Sequence, residues 1–380
     1  MTEQAYIVNA ARTPVGSFQG ALAHLTAPEL GAHAIRALAP ANVDEVIMGN
    51  VIAAGLKQGP ARQAMRMAGL PDACGATTIN KLCGSGMKAA MLATDLIRAG
   101  SAARVVAGGM ESMTNAPYLI PKARAGMRMG HGELKDAMFL DGLEDASTGA
   151  AMGTFAQATA DEHQLSREAM DEFAIESVTR ARRAITNQEL ASEISPIMIN
   201  GDEVRDDEQP GRAKVERIPS LRPAFKPDGT ITAANSSSIS DGASALLIAG
   251  ESALEGAEPM ARIIAHATHS RHPSEFTVAP ADAIRQVLDR AGWKADDVDV
   301  FEINEAFAMV TMLAIQTLNL DPSRVNVYGG ACAQGHPVGS SGSRLIVTLA
   351  HALERLNKKR GVAALCIGGG EATAIAIERP

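Results

Sequence analysis

Short apolar runs that end in glycine alternate along this chain with longer segments of helical periodicity. Residues 104–109 and 362–367 are apolar runs of this kind and are typical of buried strands. Apolar residues recur at helical spacing in four further segments, namely residues 28–38, 86–99, 280–291 and 342–356. Strands that alternate with helices in this way predict an α/β fold.

The two ends of the chain carry similar short patterns in the same order. Residues 46–50 resemble residues 300–304, which lie 254 positions later, and residues 108–111 resemble residues 368–371, which lie 260 positions later. Between these two runs, each half has a glycine-containing turn that opens a predicted helix. Short apolar strings can match by chance, but three features in one order indicate two copies of one α/β unit.

The middle of the chain has a different composition. From about residue 115 to residue 238 it is rich in methionine and then highly charged, as in residues 201–208. A capping signal at Ser166 predicts one helix that runs toward Arg183. We expect this stretch to be an insertion that emerges from the first half.

The charge of the chain argues against a nucleic-acid partner. Its formal net charge is −8, its isoelectric point is about 5.6, and it contains no long run of lysine or arginine. Small basic clusters at residues 122–124 and 357–360 could receive a phosphate-bearing ligand. Clusters of this size are more typical of a solvated surface.

The sequence also predicts that the protein has no membrane partner and is cytoplasmic. The longest candidate membrane run, residues 361–377, contains Glu371 and a glycine triplet, which suit a spanning helix poorly. The first six residues lack the basic stretch and the apolar core of a signal peptide.

The cysteines point to free thiols rather than to a metal site. The four cysteines lie far apart and form no CxxC pair, so a zinc site built from cysteine and histidine lacks a close ligand pair. In a cytosolic chain of this size, free thiols are expected and catalysis by one of them is possible. The cysteines are Cys74, Cys83, Cys332 and Cys366.

Two segments carry groups that suit nucleophilic catalysis. Cys83 lies at a glycine-rich turn before a predicted helix, whose positive N-terminal end would favour the thiolate. His336 lies in a rigid Gly/Pro loop, where a neutral imidazole could accept the thiol proton. The alternatives are a buried structural cysteine and a loop histidine with a backbone partner.

Two further segments carry polar groups next to apolar strands. Cys366 ends a predicted strand against three glycines, whose N–H groups could form an oxyanion hole, although cysteine is also an ordinary small core residue. Asn304 follows another apolar strand and could hold a water molecule or a carbonyl oxygen. Its alternative role is that of a helix N-cap.

Together these segments resemble the thiolase family along essentially the whole chain. The resemblance extends from residues 7–16 near the start, through residues 108–117 and 221–225, to the glycine-rich block near the end. Each block alone is a weak signal, but their conjunction is specific.

The resemblance implies a fold, a domain organisation and a set of partners. Thiolases are coenzyme A-dependent acyltransferases with a duplicated αβαβα layered sandwich and a loop domain over the active site. We therefore expect a first half at 1–117 and 239–262, a CoA-binding loop domain at 118–238 and a second half at 263–380. We also expect acyl-CoA and coenzyme A as substrate and product, no permanently bound cofactor, and a homo-oligomer that is a dimer or a dimer of dimers, with a homotetramer preferred.

The resemblance also implies a role for each group in reversible acyl transfer, either condensation to, or thiolysis of, a 3-ketoacyl-CoA. Cys83 would carry the acyl group, His336 would activate it, and Cys366 would be the second acid and base. Asn304 would hold a water molecule that, with His336, stabilises an enolate oxygen. The N–H groups of Cys83 and Gly368 would receive the oxyanion of the acyl-enzyme steps.

Further residues are expected to contact coenzyme A by the same resemblance. Leu143 and Met152 would line the pantetheine tunnel, and Ser237 would contact the pantetheine amide. Phe225 is also expected to contact coenzyme A, because it belongs to the thiolase-like block at 221–225. Arg212 and Arg217 are candidates for the phosphate and adenine end of the ligand.

Four positions depart from the usual thiolase pattern. Ala151 stands where biosynthetic thiolases often have histidine, Phe155 where threonine is usual, and Phe276 where a methionine is common. Glu371 replaces a more usual apolar or glycine-containing continuation after the glycine triplet. These changes affect the expected acyl-chain preference and not the groups assigned to the chemistry.

Two other functions fit parts of the sequence. A decarboxylating condensing enzyme of the ketoacyl-synthase kind shares the fold type but usually lacks a second catalytic cysteine, so the block around Cys366 argues against it. A non-catalytic acyl-CoA-binding scaffold is disfavoured because Cys83, His336 and Cys366 are all present.

Overall fold

The computed structural model describes residues 3–380, and the four segments with helical periodicity are helices in it. They are the helices that begin at Ala27, Ser85, Ala279 and Val338, and the helix expected after Ser166 begins at Arg167, with the Ser166 side chain accepting from the Ala169 N–H at 3.1 Å. The helices are Ala27–Ala37 (α1), Pro60–Met67 (α2), Ser85–Arg98 (α3), Met152–Glu162 (α4), Arg167–Thr186 (α5), Glu208–Arg212 (α6), Ala279–Ala291 (α7), Ala308–Leu318 (α8), Ala331–Gln334 (α9) and Val338–Arg355 (α10).

Ten of the described strands form one mixed sheet, and two short hairpins lie outside it. The strands are Ala5–Arg12 (β1), Gly16–Ser17 (β2), Glu45–Gly49 (β3), Gly75–Ile79 (β4), Arg104–Ser112 (β5), Tyr118–Leu119 (β6), Lys135–Asp136 (β7), Ile197–Ile199 (β8), Asp202–Val204 (β9), Ser240–Gly250 (β10), Ala261–Ser270 (β11), Val300–Ile303 (β12), Arg360–Ile367 (β13) and Glu371–Glu378 (β14).

The strand order repeats outward from the centre of the sheet. From β1 the order runs β10, β5, β3 and β4, and from β11 it runs β14, β13 and β12. In the first half β10 pairs with β5 in antiparallel orientation, and β3 then pairs with β5 in parallel. In the second half β14 pairs with β13 in antiparallel orientation, and β12 then pairs with β13 in parallel. This order agrees with the two copies of one α/β unit expected from the sequence.

The two repeated sequence patterns differ in how closely their structures agree. Residues 46–49 and 300–303 occupy equivalent strands, β3 and β12. Residues 108–111 continue β5, whereas residues 368–370 form a turn between β13 and β14. Gly369 and Gly370 have φ angles of 84° and 89°, which favour glycine and end the strand at this point.

Three groups of helices and the two halves of the sheet form five layers. Helices α1 and α2 share a core with one face of the first half, and α7 and α8 share another with the second half. Helices α3 and α10 lie between the halves, and apolar residues from both halves pack against them. The halves meet through β1 and β11, where Tyr6 pairs with Arg262 and Ile7 with Ala261.

The two central helices touch close to their N-terminal ends. A Cβ atom on Gly86 in α3 would lie 2.5 Å from Ser343 Oγ in α10, and a Cβ on Gly342 would collide with the backbone N of Met87. Glycine therefore permits a close approach that any other residue would prevent. As a consequence, the loops that precede α3 and α10 are neighbours.

The inserted segment lies between β5 and β10 and is tied to the first half by buried charges. Arg12 in β1 contacts Glu193 at 2.6 Å and Asp207 at 2.7 Å, and all three side chains are almost completely buried. Removing one partner of such a network leaves an uncompensated buried charge, so the network fixes the insertion against β1. Within residues 3–380, no helix is both long and apolar enough to cross a membrane.

Candidate active site

A cavity of about 230 Å³ is lined by both halves and by the inserted segment. Its lining includes eight of the eleven residues expected from the sequence, namely Cys83, Leu143, Met152, Phe225, Ser237, His336, Cys366 and Gly368. Asn304, Arg212 and Arg217 do not line it. Two of the departures from the thiolase pattern, Ala151 and Phe276, also line the cavity, whereas Phe155 does not.

Cys83 lies in a tight turn just before α3. Ser85 closes the turn, because its Oγ accepts from the Lys81 N–H at 2.8 Å and donates to the Leu82 carbonyl at 2.7 Å. Leu82 has a φ angle of 47°, a left-handed conformation that is unusual for leucine. The turn places the half-buried Cys83 thiol on the cavity.

Burial controls the acidity of the Cys83 thiol. Desolvation raises its pKa to about 11, while the backbone N–H groups of Gly368 and of Cys83 itself act in the opposite direction. Whatever the helix end contributes toward the thiolate, burial is the larger effect in the free protein. The thiol is protonated at neutral pH and needs a base to become a nucleophile.

His336 supplies a neutral imidazole at the same cavity. Burial lowers the pKa of His336 to about 3, and the positive charge of Arg344 contributes to this shift. Its Nδ1 lies 2.5 Å from Ser341 Oγ, and its Nε2 has no hydrogen-bond partner among the described residues. One ring nitrogen is thus held by the protein and the other is free to exchange a proton.

Cys366 brings a second thiol to the cavity at the end of β13. The side chain is buried, and desolvation raises its pKa well above the usual value. Ionisation of Cys83, which lines the same cavity, would raise this pKa further. Two thiols and one imidazole therefore share one largely apolar cavity.

Asn304 lies directly after β12 and is completely buried. Its backbone N–H donates to the Ala364 carbonyl at 3.0 Å, but its side-chain amide has no partner among the described residues. It is not a helix N-cap, because α8 begins at Ala308 and Phe307 precedes it. A buried amide without a protein partner is suited to hold a water molecule or a polar ligand group.

Three phenylalanines form an aromatic cluster on the cavity wall. Phe307 makes edge-to-face contacts with Phe225 at 6.1 Å and with Phe276 at 6.4 Å between ring centroids. Gly153 leaves the space that the Phe225 ring occupies, since a Cβ at this position would overlap the ring. This part of the cavity suits an apolar group of defined size.

The two arginines proposed for the phosphate end are exposed residues of the insertion. Arg212 pairs with Glu208 at 2.6 Å across one turn of α6. Arg217 lies in the short turn Val215–Ser220, and its carbonyl accepts from Ser220 Oγ at 2.8 Å. The structure leaves both side chains at the surface and outside the cavity lining.

Two residues that support the site carry no role in the sequence analysis. Ser341 follows His336 by five residues, and its position in the first turn of α10 is the signal that could have identified it. Glu111 is buried and accepts from Asn50 Nδ2 and from the N–H groups of Val51, Ile52 and Gly339. A carboxylate near the end of a fully buried strand is the signal in that case.

Within residues 3–380, no group of three or more histidine, cysteine, aspartate or glutamate side chains is arranged to hold a metal ion.

Comparison with known families decides the affiliation of the chain. Residues 5–252 match the family model for the thiolase N-terminal domain, and residues 257–379 match that for the thiolase C-terminal domain. The chain belongs to the thiolase family. It is accordingly an acyltransferase.

Several relatives of this thiolase align with it from end to end. It is 46% identical to "Acetyl-CoA acetyltransferase" of Schizosaccharomyces pombe, with 99% of each chain covered. It is also 46% identical to the protein of the same name from Pseudomonas aeruginosa, with 98% of each chain covered.

Two solved thiolases share its fold. The Acat5 thiolase of Ascaris suum, in complex with coenzyme A, superimposes with a TM-score of 0.94 at 40% identity, covering 99% of this chain and 100% of that one. Human mitochondrial 3-ketoacyl-CoA thiolase, also in complex with CoA, superimposes with a TM-score of 0.96 at 36% identity, covering 100% of this chain and 98% of that one. The expected layered α/β fold is thereby confirmed.

Proposed function

We propose that this thiolase forms and cleaves short 3-ketoacyl-CoA esters, with acetoacetyl-CoA preferred, through an acyl group carried on Cys83. The observation that supports this most strongly is the meeting of Cys83, His336 and Cys366 on one cavity. An enzyme that breaks a carbon–carbon bond needs a nucleophile and a separate proton donor, and the two thiols provide one of each.

In the cleavage direction, His336 accepts the Cys83 proton while the sulfur attacks the 3-keto carbon. The resulting oxyanion is received by the N–H groups of Cys83 and Gly368, the same groups that stabilise the Cys83 thiolate. The bond between C2 and C3 then breaks and leaves the acyl group on Cys83. The departing acetyl-CoA enolate takes a proton from Cys366 at its C2 carbon.

The second half-reaction returns the enzyme to its starting state. The Cys366 thiolate accepts the proton of an incoming coenzyme A thiol, whose sulfur attacks the acyl-enzyme carbonyl. The tetrahedral intermediate collapses to acyl-CoA and the Cys83 thiolate, which recovers its proton from His336. Asn304, through a bound water, and His336 stabilise the enolate oxygen, so the two negative charges form at separate places.

The inserted segment would bind the coenzyme A portion of the substrate. Leu143, Met152 and Phe225 offer apolar surface to the pantetheine chain, and Ser237 offers a hydroxyl to its amide. Arg212 and Arg217 are the candidates for the phosphates, on the basis of their charge and exposure. Coenzyme A would act as substrate and product and not as a resident cofactor.

The preference for a short acyl group rests on the aromatic cluster and on the relatives. Phe276 and Phe307 are buried bulky side chains on a cavity of about 230 Å³. Both curated relatives described above bear the name acetyl-CoA acetyltransferase. We propose acetyl as the acyl group transferred most efficiently.

Assembly and location are inferred from surface features and from a relative. The exposed apolar side chains Tyr118, Met129 and Leu134 and the outer strand β4 offer contact surface for a homo-oligomer, a dimer or a dimer of dimers. A relative in Gibberella zeae is named "Acetyl-CoA acetyltransferase ERG10, cytosolic". We propose a cytoplasmic homotetramer, which light scattering and fractionation would test.

The deciding experiment measures thiolytic cleavage of acetoacetyl-CoA and of longer 3-ketoacyl-CoA esters by the wild type and by Cys83→Ala. We expect the highest kcat/KM with acetoacetyl-CoA, a mass increase of one acetyl group on the wild-type protein, and no acylation of the variant. Better cleavage of longer esters would overturn the chain-length proposal, and undiminished activity of Cys83→Ala would overturn the mechanism.

A further inference from the structure

Lys81 and Glu371 form an ion pair between the two segments that surround the proposed oxyanion site. Lys81 lies two residues before Cys83, and Glu371 directly follows the glycine triplet at 368–370. Their Nζ and Oε2 atoms are 2.6 Å apart, and their side chains are 21% and 31% exposed. The pair therefore connects positions that are 290 residues apart in the chain.

The Cys83 segment is held locally but contains a strained residue. The Leu82 N–H donates to Asn80 Oδ1 at 2.9 Å, and Ser85 bonds to the backbone of Lys81 and Leu82. These contacts all lie within residues 80–85. They shape the turn itself, but they do not fix its position relative to the glycine triplet.

The glycine segment is held on its far side. The Gly370 carbonyl accepts from the Arg271 N–H at 2.8 Å, and Ser270 Oγ donates to Glu371 Oε1 at 3.1 Å. Gly368, which carries the second N–H donor, comes before these anchors. With no side chain at 368–370, the triplet has no side-chain contact that would direct this donor toward Cys83.

Apart from the Gly368 N–H that faces the Cys83 thiol, the other contacts between the two segments are apolar. Leu82 Cδ1 would lie 3.1 Å from a Cβ on Gly368, and the Ile367 side chain occupies the place of a Cβ on Gly84. Apolar contacts resist overlap but give little directional control. In the described part of the chain, the Lys81–Glu371 pair is the one hydrogen bond between two side chains that links residues 80–85 with residues 367–371.

We propose that Lys81 and Glu371 are a positioning pair that holds the N–H groups of Cys83 and Gly368 at the spacing required by the thioester oxyanion. This inference rests on the proposed roles of those two N–H groups. Neither side chain touches the reacting atoms in the proposed mechanism.

The physical basis is the steep dependence of hydrogen bonding on geometry. An oxyanion hole works when both donors lie about 2.7–3.1 Å from the developing charge, and a small displacement of one donor weakens it. A partly buried ion pair between the two segments opposes such a displacement. Its effect is expected on the rate of acylation and not on the binding of coenzyme A.

The test compares Lys81→Met and Glu371→Gln with the exchanged pair Lys81→Glu/Glu371→Lys. In single-turnover experiments with acetoacetyl-CoA, we expect each single variant to acylate Cys83 roughly 5- to 20-fold more slowly, with KM changed less than about twofold. The exchanged pair is expected to recover to within about threefold of the wild type. Lys81→Arg, which keeps the charge, is expected to behave in the same way as the exchanged pair.

The matched control is Glu255→Gln, which removes the Arg104–Glu255 pair of 2.8 Å. This pair is also partly exposed, but its residues do not line the cavity, so acylation should be unchanged. A second readout is the pH profile of Cys83 alkylation by iodoacetamide. Because the Gly368 N–H lowers the thiol pKa, its displacement should move the profile of both single variants to higher pH.

Unchanged acylation in both single variants would overturn the inference, and so would an exchanged pair as slow as the single variants. A lower melting temperature with an unshifted alkylation profile would show that the pair is only structural, and would also overturn it. Failure of the proposed function is separate, since it would appear as absent acylation of Cys83 in the wild type.

Discussion

Nδ1 of His336 and Oγ of Ser341 lie 2.5 Å apart, and the same hydroxyl contacts the Pro337 carbonyl at 3.1 Å. A carbonyl can only accept, so the Ser341 proton is assigned to Pro337. The hydroxyl oxygen then accepts the proton of Nδ1. This leaves the Nε2 lone pair free, which is the tautomer that a base acting on Cys83 requires.

Replacing Ser341 by alanine should therefore lower kcat more than it changes KM. We expect a loss of roughly tenfold, because the neutral ring can then adopt the other tautomer or rotate. Ser341→Thr, which keeps the hydroxyl, should retain most of the activity. Ser343→Ala is the control, since Ser343 lies on the same helix but bonds to Ser244 at 2.6 Å. Equal losses in the two alanine variants would contradict the role given to Ser341.

His336 should make the protein sensitive to mild acid. Its folded pKa of about 3 is below that of an unfolded histidine, so its stabilising effect is present above pH 6.5 and declines as the pH falls toward 3. Between pH 7 and pH 5 the wild type should lose about 2 kcal/mol relative to His336→Gln. Urea unfolding of both proteins at the two pH values measures this difference, and parallel losses would argue against it.

Replacing Glu111 by glutamine should destabilise the fold. Each carboxylate oxygen of Glu111 accepts two hydrogen bonds, and an amide nitrogen at either position would face donors instead of acceptors. We expect a loss of about 3 kcal/mol from the two unsatisfied N–H groups. Denaturant unfolding provides the measurement, with Glu45→Gln as the surface control. If Glu111→Gln lowered the free energy of unfolding no more than the control does, the stabilising role of Glu111 would be excluded.

Shortening Phe276 should change the acyl-chain preference. Phe276→Ala removes a ring that contacts Phe307 on the cavity wall, and the freed space can take additional methylene groups. We expect kcat/KM for a six-carbon 3-ketoacyl-CoA to rise roughly tenfold relative to acetoacetyl-CoA. Phe173→Ala, outside the cavity lining, should leave this ratio unchanged. A preference that stays constant in Phe276→Ala would place the acyl group elsewhere.

The elements with clear periodicity could be predicted from the sequence, and those dominated by packing could not. Helix α1 lies within one residue of its predicted bounds. Helix α10 begins at Val338, four residues before its predicted start, because Gly339 and the serines after it are poor helix formers. This first turn is buried against α3, and tertiary contact there outweighs intrinsic propensity.

Site residues that belong to a sequence motif could be predicted. Properties of the site that depend on the folded environment could not. The three residues that the motifs carry, Cys83, His336 and Cys366, line one cavity. The acidity of Cys83 could not be predicted, because the sequence shows a helix start but not the burial that dominates the thiol pKa. The contact between Lys81 and Glu371 joins residues 290 positions apart, which no local pattern reveals.

The meeting of α3 and α10 has a consequence for the history of the fold. The first copy of the repeat supplies Cys83, and the second supplies His336 and Cys366. In the proposed mechanism the two copies are therefore not interchangeable, since deleting either one would remove a reacting group. In the proposed mechanism, groups from both copies act in each half-reaction, so each copy depends on the other for its chemistry.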